Sequence, residues 1–152
     1  MPTTSLRDKV ASILGGSALK AVARTGNSWE FRFGAATLTT DSSWRVVSAG
    51  RLSLASDDDG HQFGLPQPVD AEAAATAALA GQPIMSVAVD PETADLRISF
   101  GDGVRLEVLS GSAGYEAWQL STSDACIVAA GGVGLSEARY VKPNEMVGGP
   151  WE

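Results

Sequence analysis

The densest group of side chains able to do chemistry is Asp57-Asp58-Asp59-Gly60-His61. Clustered carboxylates can supply the oxygen ligands that a hard divalent cation such as calcium takes up, which makes Asp57, Asp59 and His61 the candidate metal ligands. The spacing departs from the D-x-[DN]-x-[DN]-G loop, and no bidentate glutamate follows at the required place. A solvated turn is the competing reading of the same residues.

His61 is the one histidine, so any Ser–His or Cys–His mechanism has to use it. Cys126 is the one cysteine, which rules out an intramolecular disulfide. It lies in the apolar run Ala125-Cys126-Ile127-Val128-Ala129, where a small buried thiol is commonplace. Gly131-Gly132-Val133-Gly134 precedes the helix-like LSEARY and has the order of a phosphate-binding turn. It lacks the full G-x-G-x-x-G and a following βαβ unit, so it reads as a tight exit turn. No catalytic set is assembled by these residues, and no cofactor is expected.

Tyr115-Glu116-Ala117-Trp118 is the most distinctive local sequence. Strand alternation sends Tyr115 and Ala117 to one face, Glu116 and Trp118 to the other. One aromatic is therefore expected to face outward, and Tyr and Trp are favoured anchors at interfaces. Tyr115, Glu116 and Trp118 are the candidate binding residues; burial of Trp118 beneath a helix, like Trp44, is the alternative.

The elements that must position these groups are legible from periodicity. Ser5-Leu6-Arg7-Asp8 fits a capping pattern, and Leu6, Val10, Ile13 and Leu14 share one helical face ahead of Gly15-Gly16. A helix is expected over about 5–14. Period-two patterning follows, giving strands at 18–23, 29–33, 36–40, 44–48 and 51–55. Residues 56–69 are rich in turn formers and read as a linker. Asp70 caps a second, alanine-rich helix over about 71–80, stopped by Gly81 and Pro83. Strands at 85–89, 96–100, 104–108, 115–120 and 125–129 complete the pattern.

The two passes share a grammar of helix, glycine stop and five short strands. Phe33-Gly34 stands opposite Phe100-Gly101, Trp44 opposite Trp118, and LKAV at 19–22 opposite IMSV at 84–87. The expected architecture is one α+β domain of antiparallel β-meanders with two short helices. It is built as a pseudo-two-fold duplication: half one at about 5–55, half two at about 70–130, and a tail at about 141–152 that is frayed or docked on a neighbour. Each half is expected to cover its own sheet with its own helix, leaving a cleft between halves as a ligand site.

The chain has 152 residues, 18 acidic against 11 basic, and a net charge of −7. Its cations are scattered singly, so nucleic-acid binding is disfavoured. No apolar run approaches the roughly 18 residues of a membrane span, and a cytoplasmic location is expected. The acidic balance suits a partner with a basic surface, or a homodimer.

The stretch ADLRISFGDGVRLEVLSGSAGYEAWQLS, followed by an apolar strand and Gly131-Gly132, resembles small bacterial domains of unknown function. Leu96, Phe100, Leu106, Tyr115, Glu116, Trp118 and Gly131-Gly132 carry the resemblance, over about the second half of the chain. Some such domains are similar to immunity proteins of toxin systems. The resemblance implies a shared fold and, through the immunity association, a non-catalytic protein-binding role. A small-molecule or metal-binding domain is the alternative.

Overall fold

The computed structural model describes residues 5–142, 145–148 and 151. Helix α1 spans Leu6–Gly15, with the Ser5 side chain accepting from the Asp8 amide and Val10 and Leu14 buried. Helix α2 spans Ala71–Leu79; Asp70 accepts from the Ala73 amide, and Ala71, Ala75 and Leu79 form the buried stripe. These are the two helices that capping and spacing predict.

The described residues form twelve strands, five between α1 and α2 and seven after α2. In the first half they are β1 (Leu19–Thr25), β2 (Ser28–Phe33), β3 (Thr37–Thr40), β4 (Trp44–Ser48) and β5 (Arg51–Ala55). In the second they are β6 (Ile84–Val89), β7 (Leu96–Phe100), β8 (Val104–Val108), β9 (Glu116–Ser121) and β10 (Ala125–Ala130). Two more, β11 (Gly134–Lys142) and β12 (Glu145–Gly148), extend the chain. All pairs are antiparallel, so the fold is α+β.

The strands form a seven-stranded sheet, β1-β2-β3-β9-β10-β11-β12, and a five-stranded sheet, β5-β4-β8-β7-β6. Neither sheet belongs to one half, which corrects the expectation of two self-contained units. After each three-strand meander the chain crosses over: β4 and β5 join β8, while β9 and β10 join β3. The helices cross too, α1 packing on β6 and α2 on β1. Residues 56–69 therefore connect β5 to α2 without separating two bodies.

The registers match across this exchange. Trp44 opposes Val108 and Val46 opposes Leu106; correspondingly, Trp118 opposes Thr40 and Leu120 opposes Leu38. Phe33 pairs with Leu19 and Phe100 with Ile84, at the same place in each meander. The two sheets face one another through Trp44, whose ring meets Trp29 at 4.9 Å and Phe31 at 5.2 Å, both edge-on. Burying each such side chain stabilises by about 1.5–3 kcal/mol or more, so the exchange is held by the shared core.

One expectation fails after residue 130, and the chain adds two strands there. LSEARY is strand β11, because Leu135 is buried on the core face and pairs with Ala129. The tail supplies β12, paired along β11, with residues 143, 144, 149, 150 and 152 of it outside the described set. No helix among the described residues is long and apolar enough to cross a membrane.

Candidate functional site

A 3-10 turn at Ser56–Asp58 follows β5, and Asp57, Asp59 and His61 line a polar cavity of about 690 Å³ with Arg24, Trp29 and Asp41. The Asp57 and Asp59 carboxylates are engaged. Asp57 accepts from Ser43 Oγ at 3.1 Å, and Asp59 Oδ1 accepts the Ala71 amide at 2.8 Å. Asp59 Oδ2 receives Arg24 Nη1 at 2.5 Å, while the Arg24 guanidinium lies 5.1 Å over the Trp29 ring. His61 stacks on Phe63 at 5.5 Å, and Gly60 and Val69 close the loop by backbone hydrogen bonds. Among the described residues no three His, Cys, Asp or Glu side chains converge closely enough to hold a metal. Asp59 thus ties the start of α2 to β1.

Tyr115, Glu116 and Trp118 separate. Trp118 is in the core, 1 % exposed, and donates from Nε1 to the Ala94 carbonyl at 2.8 Å. The register shifts between Ala129 and Ala130, where β10 faces β9, so Ala117 and Trp118 are both buried and simple alternation breaks. Glu116 is left exposed, accepting from Gln119 Nε2 at 2.6 Å, and Tyr115 stands 82 % exposed. The aromatic available to a partner is Tyr115, not Trp118.

The loop that carries Tyr115, residues 109–115, is held at several points. The Ser110 amide donates to Asp95 Oδ1 at 2.7 Å, and Ser112 Oγ accepts both the Gly114 and Tyr115 amides at 3.1 Å. Gly132 donates to the Ala113 carbonyl at 3.1 Å. This explains the Gly131-Gly132 pair, since a Cβ would stand 2.9 Å from Ser112 O and 2.3 Å from Ala113 O respectively. Beside the loop lies the β6–β7 turn, where Asp90 accepts the Glu92 and Thr93 amides; those bonds hold its carboxyl below the usual range. Glu92, Thr93, Ser112 and Gly131 border a shallow groove here, and Val133, next along the β10–β11 turn, is 53 % exposed.

A second cavity of about 520 Å³ lies between α1 and strands β9–β11. Ile13, Leu120 and Ile127 give it apolar walls, with Lys9, Glu137 and Arg139 at its edge. Lys9 pairs with Glu137, and Arg139 Nε donates to Glu137 at 3.3 Å. The bond from Lys9 chiefly holds the Glu137 carboxyl below its ordinary range, against the opposing effect of burial. Reading 135–139 with period two would have placed Glu137 on the face of Leu135; reading it as helix hid this site.

A family model described as "Family of unknown function (DUF6188)" matches residues 27–136. No curated protein and no solved structure matches the chain.

Proposed function

We propose, for a chain that belongs to the DUF6188 family of unknown function, that it is a non-catalytic protein-binding module working through the loop end that displays Tyr115. The observation that carries this is a fully presented aromatic on a loop whose backbone is fixed by Asp95, Ser112 and Gly132. A rigid anchor loses little conformational entropy on docking, so more of its contact energy becomes affinity. Glu92 and Glu116, together with a net charge of −7, favour a partner with a basic surface. Neutralising a basic toxin, as an immunity protein does, is one specific form of this role. The matched registers also support reading the chain as a duplicated unit whose halves exchange two strands.

The test compares immobilised wild-type protein with Tyr115→Ala in host lysate, alongside light scattering. One stoichiometric partner retained by the wild type and lost by the variant supports the reading. A monomer with no retained partner counts against it, and a dimer that Tyr115→Ala dissociates assigns the surface to self-association.

The cavity beneath α1 favours a second reading, a small amphipathic ligand held where α1 of one half meets β9–β11. Its volume lies in the range of ligand pockets. A metabolite panel screened by thermal shift tests this, since a ligand at about 100 times its Kd adds roughly 2.7 kcal/mol.

A further inference from the structure

The outward face of the five-stranded sheet holds a charge arrangement that neither reading uses. Glu107 on β8 is only 5 % exposed although it belongs to that outer face, and arginines surround it. Register places Arg45 of β4 and Arg97 of β7 directly opposite Glu107, one on each side, while Arg105 precedes it on β8. Arg45 Nε donates to Oε1 at 2.8 Å and Arg97 Nε to Oε2 at 3.2 Å. Arg105 Nε approaches Oε2 at 3.4 Å and makes no hydrogen bond.

Three features separate this cluster from an ordinary surface ion pair. Three guanidiniums against the Glu107 carboxylate leave an excess of positive charge, even with Asp90 within electrostatic reach of Arg97, in a chain whose net charge is −7. The hydrogen bonds of Arg45 and Arg97 use Nε, and Arg105 Nε faces the same carboxylate, so among the described residues no Nη group of the three is engaged, on side chains 42–60 % exposed. Finally, the sheet itself does not demand these charges. The matching positions on the seven-stranded sheet are Gln119, Thr39, Glu30 and Thr37, for Arg45, Glu107, Arg97 and Arg105.

We propose that this face docks an acidic segment of a partner protein, with carboxylates held by the free Nη edges of Arg45, Arg97 and Arg105. Glu107 is the positioning residue: it accepts from the Nε groups of Arg45 and Arg97, holds Arg105 alongside by charge, and so orients the remaining donors outward. Guanidinium forks match carboxylates in planar, bidentate geometry. In the adjoining row, Leu52 pairs with Val47, which pairs with Arg105; Leu52 is 59 % exposed and offers an apolar contact beside the cations. A nucleic acid needs cations along its whole backbone, and beyond this cluster it would meet an acidic surface.

The experiment is an amide and arginine-Nε NMR titration of the whole chain with a synthetic peptide in which glutamates alternate with leucines. Shifts confined to β4, β5, β7 and β8 are expected, abolished when the glutamates are replaced by glutamine. Arg97→Gln should weaken binding about tenfold. Glu107→Gln, which retains all three cations, should also weaken binding and should broaden or disperse the arginine Nε signals. Arg97→Lys should recover only part of the affinity. No shifts up to several millimolar peptide, shifts centred on Tyr115 instead, equal binding by Arg97→Gln, or tighter binding of a single-stranded oligonucleotide or anionic vesicles would each overturn the proposal. The surface does not include Tyr115, so the lysate result for Tyr115→Ala stands or falls separately.

Discussion

Gly132 passes so close to Ala113 that its amide donates to the Ala113 carbonyl at 3.1 Å while leaving no room for a side chain. The contact joins the β10–β11 turn to the 109–115 loop, and the clashing atom is backbone, which cannot rotate away. Gly132→Ala should therefore destabilise by about 1–3 kcal/mol, the usual range for forced backbone shifts. Denaturant unfolding checks the loss. Hydrogen exchange should show faster opening at 112–115 than in β7 or β8.

The equivalent tryptophans make a matched pair for mutation. Trp118 Nε1 has the Ala94 carbonyl, whereas buried Trp44 Nε1 has no hydrogen-bond partner among the described residues. Trp118→Phe leaves that carbonyl short of a donor; Trp44→Phe removes an unsatisfied group. Trp118→Phe should be the more destabilising by about 1 kcal/mol or more. Equal losses in chemical denaturation would contradict the assigned bonding.

Asp59 is predicted to matter for folding rather than metal binding. Asp59→Ala frees Arg24 and leaves the Ala71 amide without its acceptor, so the melting temperature should fall by several degrees, as for a loss of about 1–2 kcal/mol. A chelator should leave the wild-type melting temperature unchanged. A chelator effect matching the mutation would reassign the loop to a cation.

Acid should weaken the fold through two glutamates. For Glu107, burial alone would raise the pKa, but the hydrogen bond and charge of Arg45, then the charges of Arg105 and Arg97, outweigh it and lower it. Glu137 is lowered as well, by Lys9 foremost. A depressed folded-state pKa gives stability that is fully present above the unfolded value, ordinarily 4.5, and lost as pH falls through the folded one. Stability should be flat in this respect near neutrality and decline below about pH 4.5. Glu107→Gln should shallow that decline in a pH series of melting curves.

Much of the local structure was decided by the sequence itself. Ser5 and Asp70 set the helix starts, and alternation at 96–100 and 104–108 set strands with their inward and outward faces. The pairs Phe33/Phe100 and Trp44/Trp118, which hold matching register positions, also stand out in the sequence by their turn glycines and aromatic spacing. Tertiary structure decided which strands pair. A period-two strand presents the same apolar face to either sheet, so nothing in β4 or β9 says whether it returns beside its own meander or crosses to the other. The same limit hid the sites. Glu107 and Arg105 are near neighbours on one strand, but Arg45 and Arg97 reach them only through pairing across β4 and β7. Alternation assigned Trp118 the face of Glu116, and a one-residue irregularity against β10 turned it into the core. Local periodicity fixes what each strand can bury; the shared core around Trp44 selects the partner against which it does so.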